Sequence, residues 1–531
     1  MAHFENNGSQ RIISIQTINN KAELTDYCER VFNNLVDNKN WNKKIMVDCL
    51  ADVKMPFTLV PEEHHIDRSF RDTYYMYFSN QHFKVRRYST RLSIFRGTVR
   101  LSDLIGGNTE SIQKKFIGAM VINPLLTAPI GFTLISPKYL LEKKASNPIY
   151  MRLSTFKMHI YGKELLIRAF PYRMQDQETM RCGEVTILNI LEYFSNTYHD
   201  YRMVVPSDII NAELKHSHER VLPSNGTTYT ILTKVLADFG FSPRLYNRSI
   251  LSENGLSYSS QEMMKRILFC YIESGFPIAV NLIPVNGVGA GHSIVCIGHE
   301  EVNNDLWESA IKQKIIPFKK RETGHALINS ADLVENFVVI DDNSPIYSIR
   351  KFDQLSVAGN IMKVENIAVP LYKRMFLDAV NAMEVFHTVL QDDRLGLDKW
   401  GKDILTKNED VVIRVFMASS VSFKKFRTAK QKPQAAYVYA KVQMPRFIWI
   451  CELYQADKYK NKETRLAFGE IIVDATSAPN RQDRSLILMR YGGKITFRTP
   501  GQMKSGFKKW VIIPDEEQIV PYSENLDIVN V

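Results

Sequence analysis

Residues 175–194, QDQETMRCGEVTILNILEYF, decide how the middle of this chain reads. Beyond Cys182-Gly183 the apolar residues Val185, Leu188, Leu191 and Phe194 recur at close to helical spacing, so Cys182 opens a helix with a buried face. The unpaired N–H groups and positive dipole end at such a place favour thiolate over thiol. Gly183 leaves the sulfur uncrowded. Upstream, Gln175 and Gln177 offer side-chain amides that could donate to an oxyanion beside the Cys182 N–H, with Gln177 the preferred donor.

A thiolate nucleophile needs a base, and the base needs an orienting acceptor. Residues 277–284 (PIAVNLIP) are a strand-like run, the glycine-rich VNGVGAG follows, and 291–300 (GHSIVCIGHE) begins a second strand with His292 as its first side chain. Residues 335–345 (ENFVVIDDNSP) form a third, ending in Asp341, Asp342 and Asn343. Antiparallel pairing makes the start of one strand and the end of the next neighbours. Singly, each feature has an ordinary explanation: cysteine is among the most buried residue types, and Asp-Asp-Asn is a turn sequence. Their ordered occurrence together carries the catalytic reading.

The arrangement resembles the papain-like superfamily, most closely the branch of bacteriocin-leader-processing peptidases, over about 200 residues. The residues that carry the likeness are Cys182-Gly183, Gly291-His292-Ser293 and Asp341-Asp342. It implies a thiol hydrolase, a cysteine peptidase, acting on a peptide or protein substrate without metal or cofactor. Cys182 would attack a peptide or amide carbonyl, and His292 would act first as base and then as acid. Asp342 would hold the imidazole, with Asp341 as alternate, and Gln177 would support the oxyanion. Three departures stand out: Asp176 occupies the position of the family glutamine, Glu184 follows Cys-Gly, and the interval between His292 and the aspartates is about 35 residues longer. That insertion, residues 301–334 with the basic Lys319-Lys320-Arg321, is expected to be a lid or docking arm.

Working outward, 531 residues suggest three domains: 1–165, mixed α/β, aromatic and basic; 166–365, the papain-like unit; and 366–531, mixed α/β with a basic surface. The expected fold class is α+β. Hydrophobic residues at 45% and charged residues at 24% exclude a disordered, collagenous or coiled-coil chain. A formal charge of +11 is compatible with nucleic acid or acidic partners and demands neither. The second functional reading follows from it: a non-catalytic papain-like scaffold that binds nucleic acid or an acidic protein through basic surfaces. Between Asp72 and Asp103 every charged side chain is basic, with Tyr74, Tyr75, Tyr77, Phe78, Phe83 and Tyr88 interleaved. Such a mix can stack bases and pair phosphates, or can be a solvated strand face over an aromatic core.

No basic-then-apolar leader is visible and no cysteines form a CxxC pair, so a reducing cytoplasm is expected, in keeping with a regulated effector of bacterial-defence type. Residues 116–135 carry no charge, yet Asn123-Pro124, Pro129 and Gly131 break the run into two strands, so no membrane span is expected. Cys28, Cys49, Cys270, Cys296 and Cys451 lie in apolar runs and read as core. Glu213, His216 and His218 lack a second cluster to complete a metal site. Towards the C-terminus a helix is expected over 371–393, strands at 411–417, 435–443, 446–453, 468–474 and 485–491, and an exposed loop at SFKKFRTAKQKPQ.

Overall fold

The computed structural model describes residues 13–36, 43–142, 144–145, 147–218, 220–248, 261–307, 327–357, 359–391, 410–478, 485–491, 493–497, 511–514 and 518–530. The middle of the insertion, including Lys319-Lys320-Arg321, lies outside the described residues. The architecture is multidomain α+β. Among the described residues there are sheets of five, nine and seven strands and a two-stranded hairpin.

The five-stranded sheet runs Gln16–Ile18, Phe57–His65, Ser89–Arg96, Phe116–Ile122 and Ile130–Ile135, antiparallel throughout. The uncharged stretch is therefore two paired strands, and no described helix is long and apolar enough to cross a membrane. Helix Lys21–Leu35 buries Leu24, Cys28, Val31, Phe32 and Leu35, a stripe at helical spacing, and the Asn20 side chain caps it by accepting from the Glu23 N–H.

The nine-stranded sheet holds the central residues. Ile278–Pro284 pairs antiparallel with His292–Glu300 on one side and with Asn360–Val369 on the other. His292–Glu300 pairs in turn with Asn336–Ile340. Helix Cys182–Thr197, buried from Gly183 to Phe194, packs on this sheet. These elements do not close on themselves as a separate papain-type domain. Ile149–Met151 pairs with both His292–Glu300 and Asp527–Val529, and Leu327–Asn329 crosses to the seven-stranded sheet as a parallel neighbour of Val411–Ser419. Gly298 permits the first junction: a Cβ there would stand 2.4 Å from the Tyr150 carbonyl oxygen. One hydrophobic core extends from Ile13 to Val529.

In the seven-stranded sheet, Val411–Ser419, Phe447–Gln455, Gly469–Asp474 and Leu486–Tyr491 appear as the sequence indicates. Two expectations are corrected. Residues 435–443 are not a strand but mostly the helix Pro433–Lys441, and the supposed loop is the helix Ser420–Lys430. Their buried side chains, Phe423 with Phe426 and Arg427, and Ala435 with Val438 and Tyr439, recur at i, i+3 and i+4 and cover one sheet face. The expected helix over 371–393 starts only at Ala379, where the Asp378 carboxylate accepts from the Asn381 N–H.

Under those helices lies a buried ion network. Arg427 donates to Glu452 (2.9 Å), Glu470 and the Val520 carbonyl. Glu452 also accepts from Arg414 (2.9 Å), the Tyr522 N–H (2.8 Å) and the Tyr454 hydroxyl (2.5 Å). Arg414 continues to Glu273 at 2.9 Å, and Glu273 meets His299 at 2.7 Å, so the network joins the third sheet to the central one.

Candidate functional site: an asparagine-lined cleft beside a His–Asp–Asp cluster

Helix Cys182–Thr197 begins at the rim of a cleft of about 810 Å³. The first turn is fixed by Glu184, whose carboxylate accepts from the Arg181 N–H at 2.8 Å and from the Ser224 hydroxyl at 3.0 Å. Arg220 sits between Glu184 (3.4 Å) and Glu213 (2.7 Å), so Glu184 anchors the 220–224 segment. Glu213 therefore belongs to this support, and His216 pairs with Asp238 instead. Packing at Gly183 is close: a Cβ there would lie 3.1 Å from a Leu232 methyl, which would have to give way slightly.

Across the cleft, His292 starts its strand with its ring buried and its Nε2 2.7 Å from Asp341 Oδ1. Asp341 is fully bonded. It also accepts from the Asn343 N–H (3.0 Å), the Ser344 hydroxyl (2.8 Å) and the Arg350 guanidinium. Those donors outweigh burial and hold its carboxyl well below the usual carboxylate range. Asp342, 5% exposed, is the opposite case: neither carboxylate oxygen has a hydrogen-bond partner. Burial pushes it up to about 7, although His292 Nε2 lies 3.5 Å from its Oδ1. Burial works against a charged imidazole, but the bonds to Asp341 and to Cys182, followed by the two carboxylate charges, raise His292 to about 10. These contacts favour the protonated ring.

The cleft floor is a polar row that crosses four strands. Ser293 stands opposite Asn281, Asn281 opposite Asn366, and Asn366 opposite Asn247. All four line the cleft, with Gln175, Asn225 and Asn343 around them. Tyr229, buried beneath, shares a 2.6 Å hydrogen bond with Ser293.

These positions change the expected assignments. Asp341, not Asp342, makes the short bond to the imidazole: both carboxylates reach Nε2, at 2.7 and 3.5 Å, but Asp341 is held in place by Asn343, Ser344 and Arg350. Gln177 is exposed with φ +65° and lies outside the cleft lining; Gln175 lines it and donates to Asn343 at 3.2 Å. Cys182, half-buried, shares the cleft with His292. However, the compact cluster whose ligand-type atoms all lie within 4.8 Å of one another is His292, Asp341 and Asp342, and it contains no cysteine. The expected Cys-His-Asp grouping is therefore corrected to His-Asp-Asp, and with it the expectation of a thiol hydrolase or cysteine peptidase. The physical reason is that the ring makes its short bond to Asp341 and has Asp342 3.5 Å from the same nitrogen. The other five cysteines are buried.

The asparagine row and Arg350 were not identified from sequence. The row has no local signal, since its members are brought together only by strand register. No family model matches the chain, and no curated protein is significantly similar to it.

Proposed function

We propose that the central region is a papain-like scaffold, spanning roughly residues 166–365, whose cleft binds an extended stretch of polypeptide along its asparagine row, with the Asp341-held His292 at the edge of that row. The observation that carries this reading is the Ser293–Asn281–Asn366–Asn247 row beside the His292–Asp341 pair. Carboxamides both donate and accept, and a row of them matches the alternating N–H and C=O groups of a main chain. Tyr229 lines the cleft but is largely buried, with its hydroxyl engaged by Ser293. Asp341 fixes the ring through Nε2 and so holds this edge of the cleft in place.

The test is an array of immobilised unstructured 15-residue peptides probed with the full chain. Wild-type protein is expected to retain a subset of peptides, and Asn366→Leu and His292→Gln each to lose that subset. Cys182→Ser is expected to keep it. An array left blank by wild type, or a subset unchanged by Asn366→Leu, overturns the reading, and loss in Cys182→Ser would show that the sulfur is needed.

A further inference from the structure

A second surface, on the segment that joins strands Phe57–His65 and Ser89–Arg96 of the five-stranded sheet, is built of aromatic and cationic side chains. After helix Arg68–Met76 the chain runs through residues 79–87, SNQHFKVRR, where every residue except Val85 is exposed. Phe83 is 83% exposed and Tyr75 57%, values unusual for side chains of that size. The guanidinium of Arg71 lies 5.8 Å from the Tyr75 ring and 4.9 Å from the Tyr88 ring, and Arg87 lies 5.1 Å from Tyr88. Arg71 is held there by ring faces: its buried Nε and Nη2 have no hydrogen-bond partner. Beside this stack a cavity of about 280 Å³ opens between His64, Arg86, Arg87 and Tyr88.

The acidic groups nearby are already engaged. Glu62 pairs with Arg91, with His65 3.6 Å away, and Glu63 accepts from Asn34 at 2.7 Å. Lys84, Arg86 and Arg87 thus present a cationic stripe with Phe83 and Tyr75 projecting beside it. A folded acidic partner would use the cations and leave Phe83 unexplained. A chain with a negative charge and a planar ring at each repeat would use both.

We propose that this face binds single-stranded nucleic acid, with phosphates on Lys84, Arg86 and Arg87 and bases stacked on Phe83 and Tyr75. The surface is separate from the asparagine-lined cleft, so the proposal does not rest on the peptide reading.

The test is fluorescence anisotropy of the full chain with a dye-labelled twelve-nucleotide oligothymidylate. Three phosphate contacts give a salt slope of about −2, so raising salt from 50 to 200 mM should weaken binding about 20-fold. Phe83→Ala should weaken it about 5-fold or more while keeping that slope, and Arg86→Glu with Arg87→Glu should flatten the slope. All three side chains are exposed, so the fold, checked by circular dichroism, should be unaffected. A duplex of the same length should bind more weakly, because its bases are already stacked. No binding at 50 mM salt, equal binding of the duplex, or equal capture of polyglutamate with no effect of Phe83→Ala would each overturn the proposal.

Discussion

Two places in this molecule bury a histidine among carboxylates, and they are built differently. Around Arg427 and Arg414, each oxygen of Glu452 and Glu470 has a donor, and His299 is bound on both sides, to Glu273 and to the Glu300 carbonyl. Around His292, Asp341 is saturated while Asp342 is left bare. Formal charges are closely matched in both places, so charge is not the difference; hydrogen bonding is. Carboxylates whose oxygens are all bonded fix structure, as at Glu452 and Glu470, although Arg427 Nε there has no partner; a carboxylate with both oxygens unbonded, as at Asp342, stores free energy. The bare carboxylate adjoins His292 and Asn343, which line the cleft, and the Arg427 network lies between the sheet and its covering helices.

The largest effect expected from this contrast is at the network. Arg427→Met removes the partner of Glu452 and Glu470 together and should cost about 3–5 kcal/mol in urea unfolding. A neutral result would erase the distinction. Next comes Asp342→Asn, with the opposite sign. The folded form holds the Asp342 proton more tightly than the unfolded chain, so its contribution is intact below about pH 4 and is lost as pH rises through about 7. The variant should therefore be more stable than wild type above pH 7, by at most about 4 kcal/mol, and should match it near pH 4. Thermal melts across that range measure the gain; a variant destabilised at pH 8 would show that Asp342 has a partner. Asp341→Asn should cost about 2 kcal/mol and lower the His292 titration from about 10, read by NMR of the ring nitrogens. The smallest effect is at Gln177→Ala, expected within about 0.5 kcal/mol and without influence on peptide capture, since the side chain is exposed.

What was legible in the sequence was local. Asn123-Pro124 and Pro129 mark the turn between Phe116–Ile122 and Ile130–Ile135, and the Leu24–Leu35 stripe marks its helix. Cys182 at a helix start and His292 at a strand start were likewise readable. The helix Pro433–Lys441 was misread because YVY has β-forming residues, although Ala435, Val438 and Tyr439 already carry a helical period. The choice between Asp341 and Asp342 depends on which carboxylate the surrounding donors hold against the ring, which pattern alone cannot set. The asparagine row depends on register across Arg244–Asn247, Asn360–Val369 and Ile278–Pro284, elements far apart in the chain, and a bulge at Asn281/Leu282 shifts that register within the row. Hydrogen-bond saturation at Asp341 comes from Arg350 on the next strand, again a tertiary matter.

The pairing of Ile149–Met151 with Asp527–Val529 bears on the order in which the protein assembles during synthesis. When residue 151 leaves the ribosome, the strand that flanks it on one side is still to be translated, at about 5–20 residues per second. That leaves about 20–75 s in which a buried backbone edge is open to other chains. A nascent chain of this kind depends on a chaperone or on rapid docking of the His292–Glu300 strand to stay monomeric, and ribosome stalling late in the message should release an aggregating product rather than a folded, shortened one.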